Sequence, residues 1–226
     1  MDFIENKACR IVVIRVTDGL FINYSYIVID KKTKKCAIID PAWQIDVYSD
    51  FINKQELVPV YVLLTHYHWD HTNLAREVSN LYSCLIAISK QEMLYDFSGI
   101  LRLYHNQMLY IGDLQVTCLS TPGHTQGSMC YLLDSFLFSG DTVFIEGVGM
   151  CKEYENGVKE LYESIQLLKR KIKDHILLLP GHKYEYEFDK TFKDIKHLNI
   201  YFHFDSIEEF VKFRLRKRQD RLLDFK

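Results

Sequence analysis

The chain has 226 residues, 48% hydrophobic and 26% charged, with a formal net charge of −2. That length suffices for one well-buried core and is marginal for two, and the composition is that of an ordinary globular protein. So small a net charge argues against a nucleic-acid partner for the whole molecule.

The start, Met1-Asp2-Phe3-Ile4-Glu5, is acidic where a secretory signal is basic, and no apolar run approaches the roughly 20 residues needed to span a bilayer. A cytoplasmic protein with no membrane partner is expected. Six cysteines (Cys9, Cys36, Cys84, Cys118, Cys130, Cys151) stand far apart with no CxxC pair, which fits reduced thiols used as small core residues.

In chain order, β-branched runs predict strands at Ile11–Val16 and Tyr24–Ile29, and Cys36–Ile39 runs into the turn signal Asp40-Pro41. The charged stretch 31–35 makes the last two a hairpin. A helix is expected over 45–53, then a short buried strand, Tyr61–Leu64, that stops at Thr65. The second half repeats this order, with strands at Leu114–Leu119, Met129–Leu133 and Phe136–Ser139. A helix follows, whose Val158, Leu161, Ile165, Leu168 and Ile172 share one face, and then a strand at His175–Leu179. Strands, helix and strand, twice over, suggest two packed β-sheets with helices outside. No linker interrupts the pattern, so one domain over 1–226 is expected, with final helices from about 189 as a C-terminal extension. There Ser206 and Glu209 fit a capping box, and Ile207, Phe210, Val211 and Leu215 mark an apolar face. From Val211 onward seven Lys or Arg face Asp220 and Asp224, so the tail is locally basic.

The chemistry lies in Thr65-His66-Tyr67-His68-Trp69-Asp70-His71, directly after a buried strand. Three imidazoles and a carboxylate this close suit a borderline divalent metal such as zinc; iron and manganese also suit these ligands. Left unligated, such histidines would bury polar nitrogens without partners. His124 in Thr121-Pro122-Gly123-His124, Asp141 in Ser139-Gly140-Asp141-Thr142 and His182 in Leu179-Pro180-Gly181-His182 each close a predicted strand beside Gly or Pro. One such residue is weak evidence, but four strand ends carrying His or Asp make a metal-ligand set. His105, His175, His197 and His203 lack such settings and are assigned structural or surface roles.

With HxHxDH followed by separated His, Asp and His, the sequence resembles the metallo-β-lactamase superfamily over most of its length. The resemblance implies an α+β fold, the αββα sandwich, and two divalent metal ions, zinc foremost. It implies one metal on His66, His68 and His124, a second on Asp70, His71 and His182, and Asp141 bridging them. Asp141 sets the chain apart from true β-lactamases, and His68 from flavodiiron proteins. The runs around Gly123-His124-Thr125, Gly140-Asp141-Thr142 and Gly181-His182-Lys183-Tyr184 resemble the glyoxalase II branch, which cleaves thioesters. In that branch the position of Tyr184 contacts substrate. A lysine that helps hold glutathione there is replaced here by Met150, with Lys152 nearby.

Gly140 through Gly147, Asn199-Ile200-Tyr201-Phe202 and the run from Phe213 to Lys226 are similar to zinc-dependent hydrolases of bacterial polyketide-synthase clusters. That similarity implies an acyl thioester on an acyl carrier protein as substrate. Asp70, as a ligand facing the bridge between the metals, is expected to orient the water or accept its proton, and Tyr184 to hydrogen-bond the substrate or the oxyanion. An acidic carrier protein would meet the basic tail, Lys212, Arg214, Arg216, Lys217, Arg218 and Arg221. A glutathione thioesterase, a lactonase or phosphodiesterase, and a mononuclear iron persulfide dioxygenase are the alternatives.

Overall fold

The computed structural model describes residues 1–19, 22–92, 99–151 and 156–216. Seven strands form one sheet in chain order: β1 (Asp2–Glu5), β2 (Cys9–Thr17), β3 (Ile22–Asp30), β4 (Lys35–Ile39), β5 (Val58–Leu63), β6 (Leu85–Ser89) and β7 (Ile100–Leu103). The first four pair antiparallel and the rest parallel. Five more, β8 (Met108–Ile111), β9 (Leu114–Ser120), β10 (Met129–Leu133), β11 (Phe136–Gly140) and β12 (Leu177–Pro180), form a second sheet in the order β12-β11-β10-β9-β8. There β8 to β11 pair antiparallel, and β12 runs parallel to β11.

A shared core fills the space between the sheets, with Tyr26, Val28 and Leu63 from one and Cys118, Tyr131 and Phe138 from the other. Helices α1 (Ile45–Gln55) and α3 (Ala75–Tyr82) cover the outer face of the first sheet through Tyr48, Ile52 and Val78. Helices α4 (Gly157–Lys171), α5 (Phe192–Leu198) and α6 (Ile207–Arg214) cover the second. The layers are therefore α, β, β, α, the expected sandwich. On α4 the predicted stripe Val158, Leu161, Ile165 and Leu168 is buried, at about 1.5–3 kcal/mol for each large apolar side chain. Glu160 in its first turn and Lys169, Arg170 and Lys171 in its last complement the helix dipole.

Two buried tyrosines stitch the sheets together. Tyr26 on β3 donates its hydroxyl to the Pro180 carbonyl on β12 (2.6 Å), and Tyr131 on β10 donates to the Leu64 carbonyl just past β5 (2.6 Å). The backbone adds Met129 N–H to Thr65 O and Tyr24 N–H to Gly181 O, both 2.8 Å. These bonds gather the ends of β5, β9, β11 and β12 on one rim. The first sheet's edge strand β1, the segment β6–β8 and helix α3 add to the elements expected from sequence, because they are short and bury only a few residues each; α5 lies where final helices were expected.

The C-terminal expectations need correcting in three places. Leu215 lies past the end of α6 and is 63% exposed, whereas Arg214, counted in the basic tail that would meet a carrier protein, is 5% exposed. Ser206 caps α6 by accepting from Glu209 N–H, but its own proton goes to Glu208 rather than into a reciprocal bond with Glu209; the reciprocal box forms at Thr191 and Asp194 on α5. Arg216 stacks over the Phe213 ring, 3.5 Å from its centroid. Residues Lys152, Lys217, Arg218 and Arg221 lie outside the described residues. Among the described residues no helix is long and apolar enough to cross a membrane.

Candidate metal centre

The rim brings all seven sequence-predicted metal residues together. His66 follows β5, His68 caps the short helix α2 (Trp69–Thr72), and Asp70 and His71 lie on that helix. His124 follows β9, Asp141 follows β11 and His182 follows β12. Two triads result, His66–His68–His124 and Asp70–His71–His182, each with donor atoms within 4.8 Å of one another. In the first, His68 Nδ1 stands 3.0 Å from His66 Nε2 and 2.9 Å from His124 Nε2. In the second, His71 Nε2 is 3.4 Å from His182 Nε2 and 3.6 Å from Asp70 Oδ2. Nitrogen ligands at about 2.0–2.1 Å around a tetrahedral ion stand roughly 3.4 Å apart, so the spacing suits a metal.

Asp141 lies between the triads. Its Oδ1 is 3.4 Å from His71 Nε2, and its Oδ2 is 3.7 Å from His124 Nε2 and 3.3 Å from His182 Nε2. Oδ1 is buried and accepts no hydrogen bond. A carboxylate oxygen withdrawn from water without a donor is costly, and a cation would satisfy it. The backbone also keeps this space clear. A Cβ on Gly181 would press on Asp141 Oδ1 and come within 2.7 Å of His71 Cε1; one on Gly149 would stand 2.8 Å from His124 Nδ1.

Four rings are held by their far nitrogens. His124 Nδ1 bonds the Met150 carbonyl (2.7 Å), His182 Nδ1 the Ile22 carbonyl (2.7 Å), His71 Nδ1 the Asp40 carboxylate (3.0 Å) and His66 Nδ1 the Thr65 hydroxyl (3.0 Å). For the first three the bond puts a proton on Nδ1 and turns Nε2 toward the centre, the usual orientation for a metal histidine. Asp70 Oδ2 accepts from Asn23 Nδ2 (2.9 Å), and Asn23 Oδ1 accepts from Trp43 Nε1 (3.0 Å). Asp40 and Asn23 escaped the sequence reading. Asp40 carried the same signal as Asp141, a carboxylate closing a buried strand, but its Asp-Pro pair reads as a turn. Asn23 sits inside a strand and offered no signal.

Electrostatics divides the histidines. Burial and the neighbouring imidazoles hold His66 well below the ordinary histidine range, and burial lowers His124 as well. For His71 burial is outweighed by Asp141, Asp40 and Asp70, which raise it to about 10; Asp141 likewise raises His182. Burial opposes ionisation of Asp141, but His182 and His71 prevail and hold its carboxyl well below the usual range. A cation entering the second triad must displace the His71 proton, so metal binding weakens as pH falls.

Tyr184 packs edge-on against Phe144, ring centroids 5.1 Å apart, and 6.4 Å from the His182 ring. Glu146 anchors its segment by accepting from Glu185 and Tyr186 N–H (3.0 and 2.8 Å). Burial, then the charges of Asp141, Glu146 and Asp70, raise the phenol, so it keeps its proton and acts as a donor. His105 and His203 bond backbone groups of Ser120 and Lys196 outside the two triads.

All six cysteines are free, five of them buried. Burial raises the Cys151 thiol to about 11, against the pull of Arg214, so little thiolate exists near neutral pH. Cys151→Ser is expected to leave turnover within a few-fold. A collapse of turnover in a folded, metal-loaded variant would make Cys151 the nucleophile.

A model of the metallo-beta-lactamase superfamily matches residues 18–104 and 106–184. Over 207 residues, covering 90% of this chain and 92% of the relative, the sequence is 37% identical to the "Probable polyketide biosynthesis zinc-dependent hydrolase PksB" of Bacillus subtilis (strain 168). It is 30% identical over 201 residues to a hydroxyacylglutathione hydrolase of Dictyostelium discoideum, covering 83% of this chain and 73% of the relative. A crystal structure of a metallo-beta-lactamase from Staphylococcus aureus has the same fold, with TM-score 0.83 and 23% identity, over 92% of this chain and 68% of that one. Matched in sequence over most of its length and in fold across both sheets, the chain belongs to the metallo-beta-lactamase superfamily.

Proposed function

We propose that this protein is a binuclear zinc-dependent hydrolase that cleaves acyl thioesters, its substrate carried on an acyl carrier protein of polyketide biosynthesis. The observation that carries the metal reading is Asp141, whose buried Oδ1 accepts no hydrogen bond and lies between two donor triads. In this reading His66, His68 and His124 hold one ion, Asp70, His71 and His182 the other, and Asp141 both. The names of the two relatives support the rest, one as a probable zinc-dependent hydrolase of polyketide biosynthesis and one as a hydrolase of hydroxyacylglutathione, itself a thioester.

When bound, the ions supply Lewis acidity and a water that ionises near neutral pH. The chain's own residues then orient and accept. Asp70, held by Asn23 through Oδ2, is the carboxylate placed to take the water's proton. Tyr184 keeps its own proton and donates its hydroxyl to the carbonyl oxygen as negative charge develops there. The leaving thiol, with a pKa of about 8.5, departs without a strong acid to protonate it. Met150, 41% exposed, stands where a glutathione enzyme of this branch carries a lysine, which favours a different thiol carrier.

The test is mass spectrometry of a panel of acylated carrier proteins, hydroxyacylglutathione, a lactone and a phosphodiester after incubation with the enzyme. Deacylation of a carrier protein is the expected result. The kcat/KM for that carrier should fall with added salt, because charge steering is screened, while a small acyl N-acetylcysteamine thioester should be insensitive. Turnover of only the lactone or phosphodiester would reject the thioester reading; equal salt responses would reject electrostatic docking.

A further inference from the structure

The loop from Asp141 to Cys151 carries Asp141 at its start and, near its end, the Met150 carbonyl that orients His124. Backbone bonds brace it: Phe144 N–H to Gly147 O (2.8 Å), Thr142 N–H to Ser139 O (3.1 Å) and the bridge between Val143 and Val148. Ser139 Oγ donates to Val143 O (2.7 Å), Glu146 accepts from Glu185 and Tyr186 N–H, and the C-terminal segment holds the stretch that leads to Met150. Asn199, fully buried at the start of a short 3-10 turn, donates both protons of its amide, to Phe144 O (3.0 Å) and Gly147 O (2.8 Å). Its Oδ1 in turn accepts from Tyr201 N–H (3.0 Å). From α6, Arg214 donates Nη2 to Gly149 O (3.1 Å), with its guanidinium 6.0 Å from the centre of the Tyr201 ring. Gly149 in turn lies against the His124 ring. A buried guanidinium is expensive to keep, and here it is aimed at the one peptide that precedes the His124 acceptor.

We propose that Asn199 and Arg214 are positioning residues for the His66–His68–His124 triad, aiming His124 through the Met150 carbonyl. The C-terminal segment, which contributes no ligand, is thereby part of one metal site and not the other. The proposal rests on the ligand set proposed above. Losing a partner of this kind behind a metal histidine typically weakens binding roughly ten- to a hundredfold, and here the loss should fall on one ion.

The experiment is a zinc titration of full-length, metal-stripped protein against a chromogenic chelator, with the thermal midpoint of the metal-free protein measured alongside. Arg214→Met and Asn199→Ala are each made in three backgrounds: unmodified, His68→Ala and Asp70→Ala. The expected result is that either change weakens the ion left in the Asp70→Ala background about tenfold or more, and leaves the ion in the His68→Ala background within about threefold. Arg214→Lys, which keeps a donor, should recover part of the affinity. Equal weakening in both backgrounds, or none in either, would overturn the proposal and make the two residues structural only. An unmodified protein that binds fewer than two ions would instead overturn the ligand set, a separate failure. Because Asn199→Ala leaves Arg214 in place, the test survives if one variant does not fold.

Discussion

Replacing His68 with alanine should reduce bound zinc from about two ions per chain to about one, and turnover to near background. The side chain is half-buried on the rim, and its Nδ1 sits within 3.0 Å of both other nitrogens of its triad. Its removal therefore takes away the donor common to both close contacts. The neighbouring triad keeps Asp70, His71, His182 and Asp141, so one ion should remain. Elemental emission spectrometry on purified protein reads the count, and turnover of a carrier-bound or small thioester reads the chemistry. Hydrolysis at the unmodified rate by a metal-free preparation would sink the mechanism outright.

The second large effect is expected at Asp40, outside the ligand set. Its carboxylate accepts from Thr65 N–H (2.8 Å), the Thr65 hydroxyl (2.6 Å) and His71 Nδ1 (3.0 Å), and the residue is only 2% exposed. Asp40→Ala strands two buried donors that cannot reach water, each at about 1–3 kcal/mol. It also frees the His71 ring to turn, which should weaken the second ion by roughly ten- to a hundredfold. Asp40→Asn, which keeps the volume and one acceptor oxygen, should retain much of the stability while still losing metal affinity. Chemical denaturation and zinc titration of the same two variants separate these effects. Unchanged affinity in both would mean that His71 is held by its other neighbours.

The residues that gather on the rim, the proposed ligands, were legible because each announces itself locally: His66 to His71 follow a buried β-branched strand, and His124, Asp141 and His182 each follow Gly at a strand end. The sandwich was legible for a similar reason, since strands β2 to β5 and β9 to β12 are dense in apolar residues. What stayed hidden depends on partners distant in sequence. Tyr26 and Tyr131 look like ordinary core aromatics until their hydroxyls are followed to carbonyls 154 and 67 residues away. Arg214 reads as one more cation in a basic run, and only its contact with Gly149, 65 residues earlier, explains its burial. Edge strands such as β7 and β8 bury one or two residues each, too few to set a period.

The crossed tyrosines have a consequence for metal choice. Each is rooted in one sheet and ends on the strand of the other that leads to a ligand, Tyr26 to the strand before His182 and Tyr131 to the strand before His66. A phenol is a rigid strut, with no torsion between its ring and its oxygen that could change its length. The spacing of the two sheets is therefore gauged by two side chains of fixed reach, and each donor triad draws on both sheets. The fold does not wait on the ions to draw its halves together, so each triad is closed in advance to a set size. A rigid frame of this kind discriminates by the ligand geometry an ion prefers, which raw affinity along the first-row series cannot do.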